Sequence, residues 1–335
     1  MIRTESTQTL APTGHVPAGK LVQSYRSLLP LLALCAATAA WSQTAQPTPA
    51  ATPASAQYRL ISIEIPGGNA TGYSGEGGWC GINDAEAVTG TYRDASNNSH
   101  GFMWRNGTLH ILDNPGSVDT ALASINNLGV VVGNFGNLTS SQAAMYSFRS
   151  GAWSTLPDIS GTPNIVGIGI NDSGAAVGWA GVGEFNNNLA NTVSWIWDPT
   201  SQSYSFFDVP GAPQYSTFAN GINDQGQVVG VFIDTSGAVH GFLKEDETYT
   251  TIDVPGATGT FAYGFNNSGT IVGAWANLSG FYEGFVRKSD GTVTLVNFPG
   301  GLATWVFNVN DRGDICGYWV DPKAGLGSPF VGYKQ

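Results

Sequence analysis

The stretch GINDQGQVVG, Gly221 to Gly230, recurs in five further places and sets the frame for the rest of the chain. The copies are GINDAEAVTG, SINNLGVVVG, GINDSGAAVG, GFNNSGTIVG and NVNDRGDICG, beginning at residues 81, 124, 169, 264 and 308. Their first asparagines lie 43 to 52 residues apart (Asn83, Asn126, Asn171, Asn223, Asn266 and Asn310). A period of this length is typical of propeller blades or of helical-pair repeats. The chain is therefore a repeat protein.

Each copy has the chemistry of a β-hairpin. An apolar residue precedes the asparagine, a short polar stretch follows it, and small or β-branched residues lead to a second glycine. Asparagine or aspartate at the start of a tight turn can bond its own backbone, and glycine at the end accepts positive φ. Glu86 fills that last position in the first copy, and glycine fills it in the others (Gly129, Gly174, Gly226, Gly269 and Gly313). Strand, turn and strand thus occupy each copy, which excludes helical solenoids.

Two further segments recur between the hairpins. One carries an aromatic residue, as in HGFMW from His100 to Trp104. The other ends in a turn such as FFDVPG (Phe206 to Gly211) or TIDVPG (Thr251 to Gly256). Both have the pattern of short strands. Four strands in about 44 residues predict a propeller blade.

The first and last repeats complete each other. The sixth repeat ends at Gln335 after its third strand, and the strand YRLISIEI, residues 58–65, precedes the first repeat without partners of its own. A ring in which this strand completes the last blade leaves no open sheet edge. We therefore predict an all-β, six-bladed β-propeller of four-stranded blades, the last blade closed by the N-terminal strand 58–65. Alternation along that strand predicts that Ile61, Ile63 and Ile65 form its buried face.

The first 57 residues have the composition of a targeting segment and a linker. Arg26 precedes the apolar run Leu28 to Ala40, which is short for a membrane span and ends in small residues, as a secretory signal does. An uncleaved anchor and a lipid on Cys35 are the alternatives. We expect a secretory signal in residues 1–42, a Pro/Ala/Thr-rich linker in 43–57 and a single propeller domain in 58–335. The mature protein would be secreted, extracellular or periplasmic, without membrane insertion.

Composition limits the partners. The chain has 13 lysines and arginines against 24 aspartates and glutamates, a formal charge of −11, and no basic run. Nucleic acids and anionic lipid surfaces both need a basic face, so neither is an expected partner. The expected partner is a surface glycan or a protein, and the expected state is a monomer.

The period, the GIND hairpin, the HGF strand and the IDVPG ending resemble the HAF-repeat family of extracellular repeat proteins over residues 58–335. The HGF of His100–Phe102 and of His240–Phe242 matches the motif in the family's name, with glycine in place of alanine. Glu86 for the turn glycine and Ser160 for the proline are departures in single repeats. The resemblance implies an exported propeller-like array, and it supplies no catalytic residues.

Catalytic, cofactor and metal motifs are not found in the sequence. HExxH, GxSxG and glycine-rich phosphate loops are absent, and each Asn-Asp turn has few carboxylates for a cation that needs six to eight oxygens. His100 and His240 share one repeat position, which favours structural hydrogen bonds over ligand binding. We expect no cofactor and favour a non-catalytic binding module. An extracellular glycosidase or lyase with carboxylates on the channel rim is the alternative.

Candidate site residues come from segments outside the shared repeat pattern. The insertion WAGVGEFNNNLANT begins at Trp179 and contains Phe185, and both rings could stack on a sugar or a peptide. Packing of these rings against the blade is the alternative. Cys80 and Cys316 are the only cysteines after the signal, and ring closure would make their repeats neighbours. An oxidising compartment would then permit a disulfide between them.

Overall fold

The computed structural model is all-β and has four-stranded sheets, as the sequence predicts. It describes residues 57–66, 79–96, 98–137, 140–160, 162, 164–181, 192–323 and 326–335. None of these residues belongs to a helix long and apolar enough to cross a membrane.

The 24 strands of the described ranges group into six antiparallel units of four. Unit 1 contains β2 (Cys80–Ile82), β3 (Val88–Arg93), β4 (Ser99–Arg105) and β5 (Thr108–Ile111). Unit 2 contains β6 (Asp119–Ile125), β7 (Val130–Asn137), β8 (Ser140–Ser147) and β9 (Ala152–Thr155). Unit 3 contains β10 (Ile165–Ile170), β11 (Ala176–Gly181), β12 (Thr192–Asp198) and β13 (Ser203–Phe207). Unit 4 contains β14 (Thr217–Ile222), β15 (Val228–Ile233), β16 (Val239–Glu245) and β17 (Thr248–Ile252). Unit 5 contains β18 (Gly259–Phe265), β19 (Ile271–Ala276), β20 (Tyr282–Arg287), β21 (Val293–Val296), and unit 6 contains β22 (Thr304–Val309), β23 (Ile315–Asp321), β24 (Leu326–Lys334) and β1 (Tyr58–Ser62). Units 4 and 5 join through one parallel bridge, Val239 to Gly259, into an eight-stranded sheet.

The turn between the first two strands of each unit is built by its marker asparagine. In unit 4 the Oδ1 of Asn223 accepts hydrogen bonds from the backbone N–H groups of Gln225 (3.2 Å) and Gln227 (3.0 Å). The N–H of Gly226 donates to the carbonyl of Asn223 (3.1 Å), and Gly226 has a φ of +76°. In all six copies the asparagine Oδ1 accepts the N–H four residues further on. The turn therefore follows from local chemistry.

Replacing Gly226 by valine is expected to destabilise unit 4 by more than about 1 kcal/mol, because a β-branched residue is strained at positive φ. No atom lies within 4 Å of a Cβ at this position, so backbone strain would be the whole effect. Thermal melting of the full chain measures it. Gly226→Asn is the control, since asparagine tolerates the left-handed region. Equal melting temperatures for the valine and asparagine variants would contradict this account of the turn.

In five of the six repeats, the second glycine lies where a Cβ would meet a backbone carbonyl oxygen of the preceding strand at 1.9 to 2.1 Å. In unit 5 the register between β18 and β19 shifts between Ala262 and Gly264, which marks a β-bulge. A Cβ on Gly273, opposite the bulge, would lie 1.9 Å from the carbonyl oxygen of Phe261 and 2.7 Å from the ring of Phe285. Only glycine fits there. The repeated glycine thus belongs to packing as well as to strand pairing.

Strand β1 completes the sheet of unit 6 by pairing antiparallel with β24, from Tyr58 opposite Lys334 to Ser62 opposite Phe330. Tyr58 is 7% exposed and belongs to the core of units 5 and 6, whereas Ile63, 2% exposed, packs in a cluster with Cys80 of unit 1. The expectation of a single buried face was therefore incomplete. An outer strand between two units packs on both sides, which the alternation of one strand does not reveal.

A disulfide joins the first and last units. Cys80 in β2 and Cys316 in β23 are bonded with a Cα separation of 6.2 Å, within the usual range for a disulfide. Both residues are buried in the same cluster as Ile63. The chain is thus tied together across 236 residues at the junction that β1 also covers.

Candidate functional site

A circle of hydrogen bonds links the six asparagine turns, and we call the surface they form the turn face. The residue after each marker asparagine donates its backbone N–H to the side-chain oxygen of its counterpart in the next unit, over 2.7 to 2.9 Å. These residues are Asp84, Asn127, Asp172, Asp224, Asn267 and Asp311. The last bond runs from the N–H of Asp311 back to Oδ1 of Asp84. The turns are therefore held around one axis.

The centre of the turn face is a small polar basin of about 60 Å³. At five of the six junctions the marker asparagine also donates its Nδ2 to the backbone carbonyl of the next one. Asn223 instead donates to Oε1 of Gln227 (2.7 Å). Small-molecule sites usually measure about 300–1,000 Å³. This basin is too small for a sugar, and its polar groups are engaged in holding the units together.

Aromatic rings from different units also pack against one another. The rings of Trp79, Tyr263 and Phe307, from three different units, have centroids 4.9 to 5.4 Å apart. The Nδ2 of Asn308 reaches Oγ of Ser124 (3.1 Å), which lies in unit 2. These ring contacts and the cross-unit hydrogen bond therefore join units 1, 2, 5 and 6 of the described residues. The described residues place no group of three or more His, Cys, Asp or Glu side chains where it could hold a metal ion.

The opposite surface, the loop face, consists of the connections between second and third strands and between successive units. In unit 1 the His100 imidazole is held there by two carboxylates. Its Nδ1 lies 2.8 Å from Oδ2 of Asp113, and its Nε2 lies 3.4 Å from Oδ2 of Asp94. The ring stacks on Tyr92 with centroids 5.2 Å apart and an interplanar angle of 26°. This arrangement connects a loop, the end of a strand and an aromatic surface.

The same arrangement recurs in unit 4. His240 lies 2.9 Å from Oδ1 of Asp253 and 3.5 Å from Oδ2 of Asp234, and it stacks on Phe232 with the same 5.2 Å and 26° geometry. The repeat position therefore determines the geometry. The sequence pattern indicated hydrogen bonding at these histidines, but the paired aspartates could be assigned only in space.

Units 5 and 2 keep this position but change its chemistry. In unit 5, Oε1 of Glu283 accepts a hydrogen bond from Nδ2 of Asn277 (3.0 Å), and Oε2 accepts one from Nδ2 of Asn297 (3.1 Å). Glu283 in β20 lies opposite Trp275 in the paired strand β19. In unit 2, Nε2 of Gln142 donates to Oδ1 of Asp158 (3.0 Å). We call these four sets, centred on His100, Gln142, His240 and Glu283, the loop-face clusters. Their central residue is histidine, glutamine or glutamate at the equivalent position of each unit.

Protonation of His100 is favoured by its surroundings. Burial alone lowers its pKa, but the hydrogen bond and charge of Asp113, with those of Asp94, outweigh burial and raise the pKa above the ordinary value. In unit 4, the hydroxyl of Ser236 is the largest influence on Asp234, and with backbone N–H groups it lowers the pKa to about 2. The carboxylate that faces His240 therefore stays ionised above about pH 3.

Stability from the His100 cluster is expected to depend on pH. A raised folded-state pKa means that the contribution is complete below the unfolded pKa of about 6.5 and is lost as pH rises through the folded value. His100→Gln should therefore lower the melting temperature more at pH 5.5 than at pH 8.5. The difference should be about 1–2 °C, because the group is partly solvated. His110→Gln, on exposed β5, is the control. If His100→Gln lowered the melting temperature equally at both pH values, a stabilising charge on His100 between its two aspartates would be excluded.

The two aromatic residues proposed from the sequence do not form a described binding surface. Trp179 lies in β11, is 8% exposed and contacts Phe218 edge to face with ring centroids 6.0 Å apart. This burial leaves little of its ring for a ligand, as in the packing alternative. Phe185 lies outside the described residues.

Solved structures similar to this chain include a lectin, the protein AofleA and a TolB protein. The SapL1 lectin in complex with alpha methyl fucoside matches with a TM-score of 0.52 and 12% identity, over 77% of this chain and 92% of the lectin. AofleA from Arthrobotrys oligospora matches with a TM-score of 0.52 and 13% identity, over 82% of this chain and 86% of AofleA. TolB from Acinetobacter baumannii matches with a TM-score of 0.52 and 8% identity, over 74% of this chain and 63% of TolB. At these identities the likeness shows a shared β-propeller fold and nothing about ligands.

No protein-family model and no curated protein sequence matches the chain significantly.

Proposed function

We propose that this chain is an exported, six-bladed β-propeller that binds a surface glycan without catalysis. The six-membered hydrogen-bond circle and the pairing of β1 with β24 support six blades and their closure by residues 58–65. The repeat motifs support a place among the HAF-repeat proteins. The fold likeness to the SapL1 lectin, which was solved in complex with alpha methyl fucoside, makes a glycan the preferred partner over a protein.

The loop-face clusters carry the proposal. Each holds a carboxylate or amide oxygen in place beside an aromatic ring, and Asp113 and Asp253 keep 38% and 51% of their side chains exposed. Fixed planar oxygens are suited to accept hydrogen bonds from sugar hydroxyls, since their orientation is set before binding. Recurrence in several units gives one molecule several weak sites, so a polymeric glycan would bind with greater avidity.

Export is supported by the disulfide. A bond between Cys80 and Cys316 persists in an oxidising compartment and is rare in a reducing cytosol. The apolar run Leu28 to Ala40, which lies outside the described residues, supplies the matching secretory signal in the sequence.

A glycan array probed with the full chain tests the proposal, followed by titration with the best ligand. The variant Asp113→Asn with Asp253→Asn keeps the side-chain shapes but removes two exposed charges, and we expect at least tenfold weaker binding. Asp290→Asn, exposed in the turn between β20 and β21, is the matched control and should bind normally. Absence of glycan binding, or binding that the double variant leaves unchanged, would contradict the proposal.

One residue favours the enzymatic alternative. Burial raises the pKa of Asp208, against the lowering by the N–H of Tyr215, which donates to Oδ2 (3.2 Å). Its Oδ1 is buried and has no hydrogen-bond partner among the described residues. A carboxyl group with a raised pKa is what a glycosidase needs as its general acid. Asp208 would have that role if the chain were a hydrolase.

Hydrolysis of a polysaccharide panel by the full chain separates the two functions. Under the binding proposal we expect turnover no greater than that of the Asp208→Asn variant. Robust turnover that disappears in Asp208→Asn would replace the binding proposal by the enzymatic one.

A further inference from the structure

The junction of units 6 and 1 carries a groove built from residues that depart from the repeat. We call it the seam groove. It is open, measures about 720 Å³, and is lined on the turn face by Arg59, Glu86, Arg312, Tyr333 and Lys334, among others. Arg312 occupies a repeat position that is uncharged in the other copies (Ala85, Leu128, Ser173, Gln225 and Ser268). Repetition of the fold therefore does not account for this groove.

The acidic residues of the seam groove are already paired. Nη2 of Arg312 lies 2.8 Å from Oε1 of Glu86 in unit 1 and 2.8 Å from Oδ2 of Asp314. Asp314 is buried, and it also accepts hydrogen bonds from Nδ2 of Asn310 (3.1 Å) and the N–H of Lys334 (3.1 Å). Both carboxylates thus have partners, and Arg312 is held between them.

The other cations of the groove lack such partners. The guanidinium of Arg59 lies over the ring of Tyr333, 5.1 Å from its centroid. Neither Arg59 nor Lys334 forms an ion pair with any residue that the structure describes. Arg59 and Lys334 are therefore the two cations of the groove that could pair with a ligand.

A groove lined by three cations is unusual for so acidic a protein. Of the 13 lysines and arginines, three (Arg3, Lys20 and Arg26) precede residue 57, and three of the remaining ten line the seam groove. The formal charge of the chain is −11, so a random surface patch would be negative. Cations gathered in one groove create a local potential that attracts anions.

We infer that the seam groove binds the acidic group of an anionic saccharide, either a uronate carboxylate or a sulfate ester. The inference rests on the proposed glycan binding and adds to it a second site, on the face opposite the loop-face clusters. Arg59 and Lys334 supply charge-assisted hydrogen bonds to the anion, and Tyr333 supplies an aromatic surface beside it. The groove's volume lies within the usual range for small-ligand sites, unlike the basin at the centre of the turn face.

Calorimetric titration of the full chain tests the inference with three probes: trigalacturonate, its carboxyl-reduced neutral form, and a sulfated disaccharide. We expect an acidic probe to bind, its affinity to fall as salt rises, and the neutral form to bind at least tenfold more weakly. The variant Arg59→Gln with Lys334→Gln should weaken acidic binding at least tenfold. Lys323→Gln, an exposed charge removal in the connection between β23 and β24, is the matched control and should have no effect.

Thermal melting checks that the variants fold. Lys334→Gln alone leaves the Arg59–Tyr333 contact in place and should give an intermediate loss of affinity for the acidic probes. If both acidic probes bind the double variant as tightly as the unmodified chain, or bind neither protein, the inference is wrong. Binding of neutral glycans on the array without binding of acidic probes removes this inference and keeps the proposed function. Absence of binding to every glycan removes both.

Discussion

A chain that starts at Gly67, without β1, is expected to aggregate or to express poorly. Tyr58 and Ile63 are 7% and 2% exposed, and burial of such side chains contributes about 1.5–3 kcal/mol each. Their loss would remove about 3–6 kcal/mol, comparable to the total stability of many domains. It would also leave the nine-residue strand β24 as an open edge.

The comparison is with a chain that starts at Gln57 and keeps β1. This chain should be as soluble as the full one, because it keeps every strand of the described residues. Size-exclusion chromatography and thermal melting of both chains decide the matter. Equal solubility and equal melting temperatures would mean that β1 does not complete unit 6, and the proposal of six blades would fail with it.

Replacing Gly273 by alanine is expected to destabilise the protein by about 3 kcal/mol or more, at or beyond the upper end for overpacked cores. The added Cβ would meet the backbone carbonyl of Phe261 at 1.9 Å, and a backbone atom in a paired strand has little room to retreat. The ring of Phe285, fully buried, blocks the other direction at 2.7 Å. The melting temperature should fall by about 6 °C or more.

Gly259→Ala, in the neighbouring strand of the same unit, is the control. Its Cβ would meet its nearest neighbours at 3.5 Å, an ordinary contact, and no positive φ is involved. We expect a change within about 0.5 kcal/mol, as for a neutral substitution. Similar losses for Gly273→Ala and Gly259→Ala would show that generic glycine entropy, rather than the close backbone approach, explains the repeated glycine.

The turn chemistry and the strand count could be predicted because they depend on neighbours in sequence. Asn223 bonds N–H groups two and four residues away, and Gly226 accepts the φ that the turn requires. Both effects act within a single hairpin. The same holds for units 1 to 5, each of which is assembled from strands that follow one another along the chain, whereas unit 6 also takes up β1.

The candidate sites could be predicted only in part. The sequence singled out His100 and His240 by their shared repeat position, but their aspartate partners lie 6 and 13 residues away and meet them only after three strands pair. Trp179 had the loop aromatic pattern of a ligand site, yet it lies in β11 and is buried. Whether a ring at the end of a strand faces solvent depends on the neighbouring unit, which its own repeat does not encode.

By itself, the sequence determined that this protein is an all-β repeat chain with hairpins started by asparagine and closed by glycine. The tertiary structure alone decided which repeats touch, and so which side chains share a site. The seam groove depends on Glu86 and Arg312, which belong to the first and last hairpins and meet because unit 6 packs beside unit 1. The physical reason is that turns are set by short-range hydrogen bonds, whereas contacts between units depend on how all the intervening sheets pack and twist.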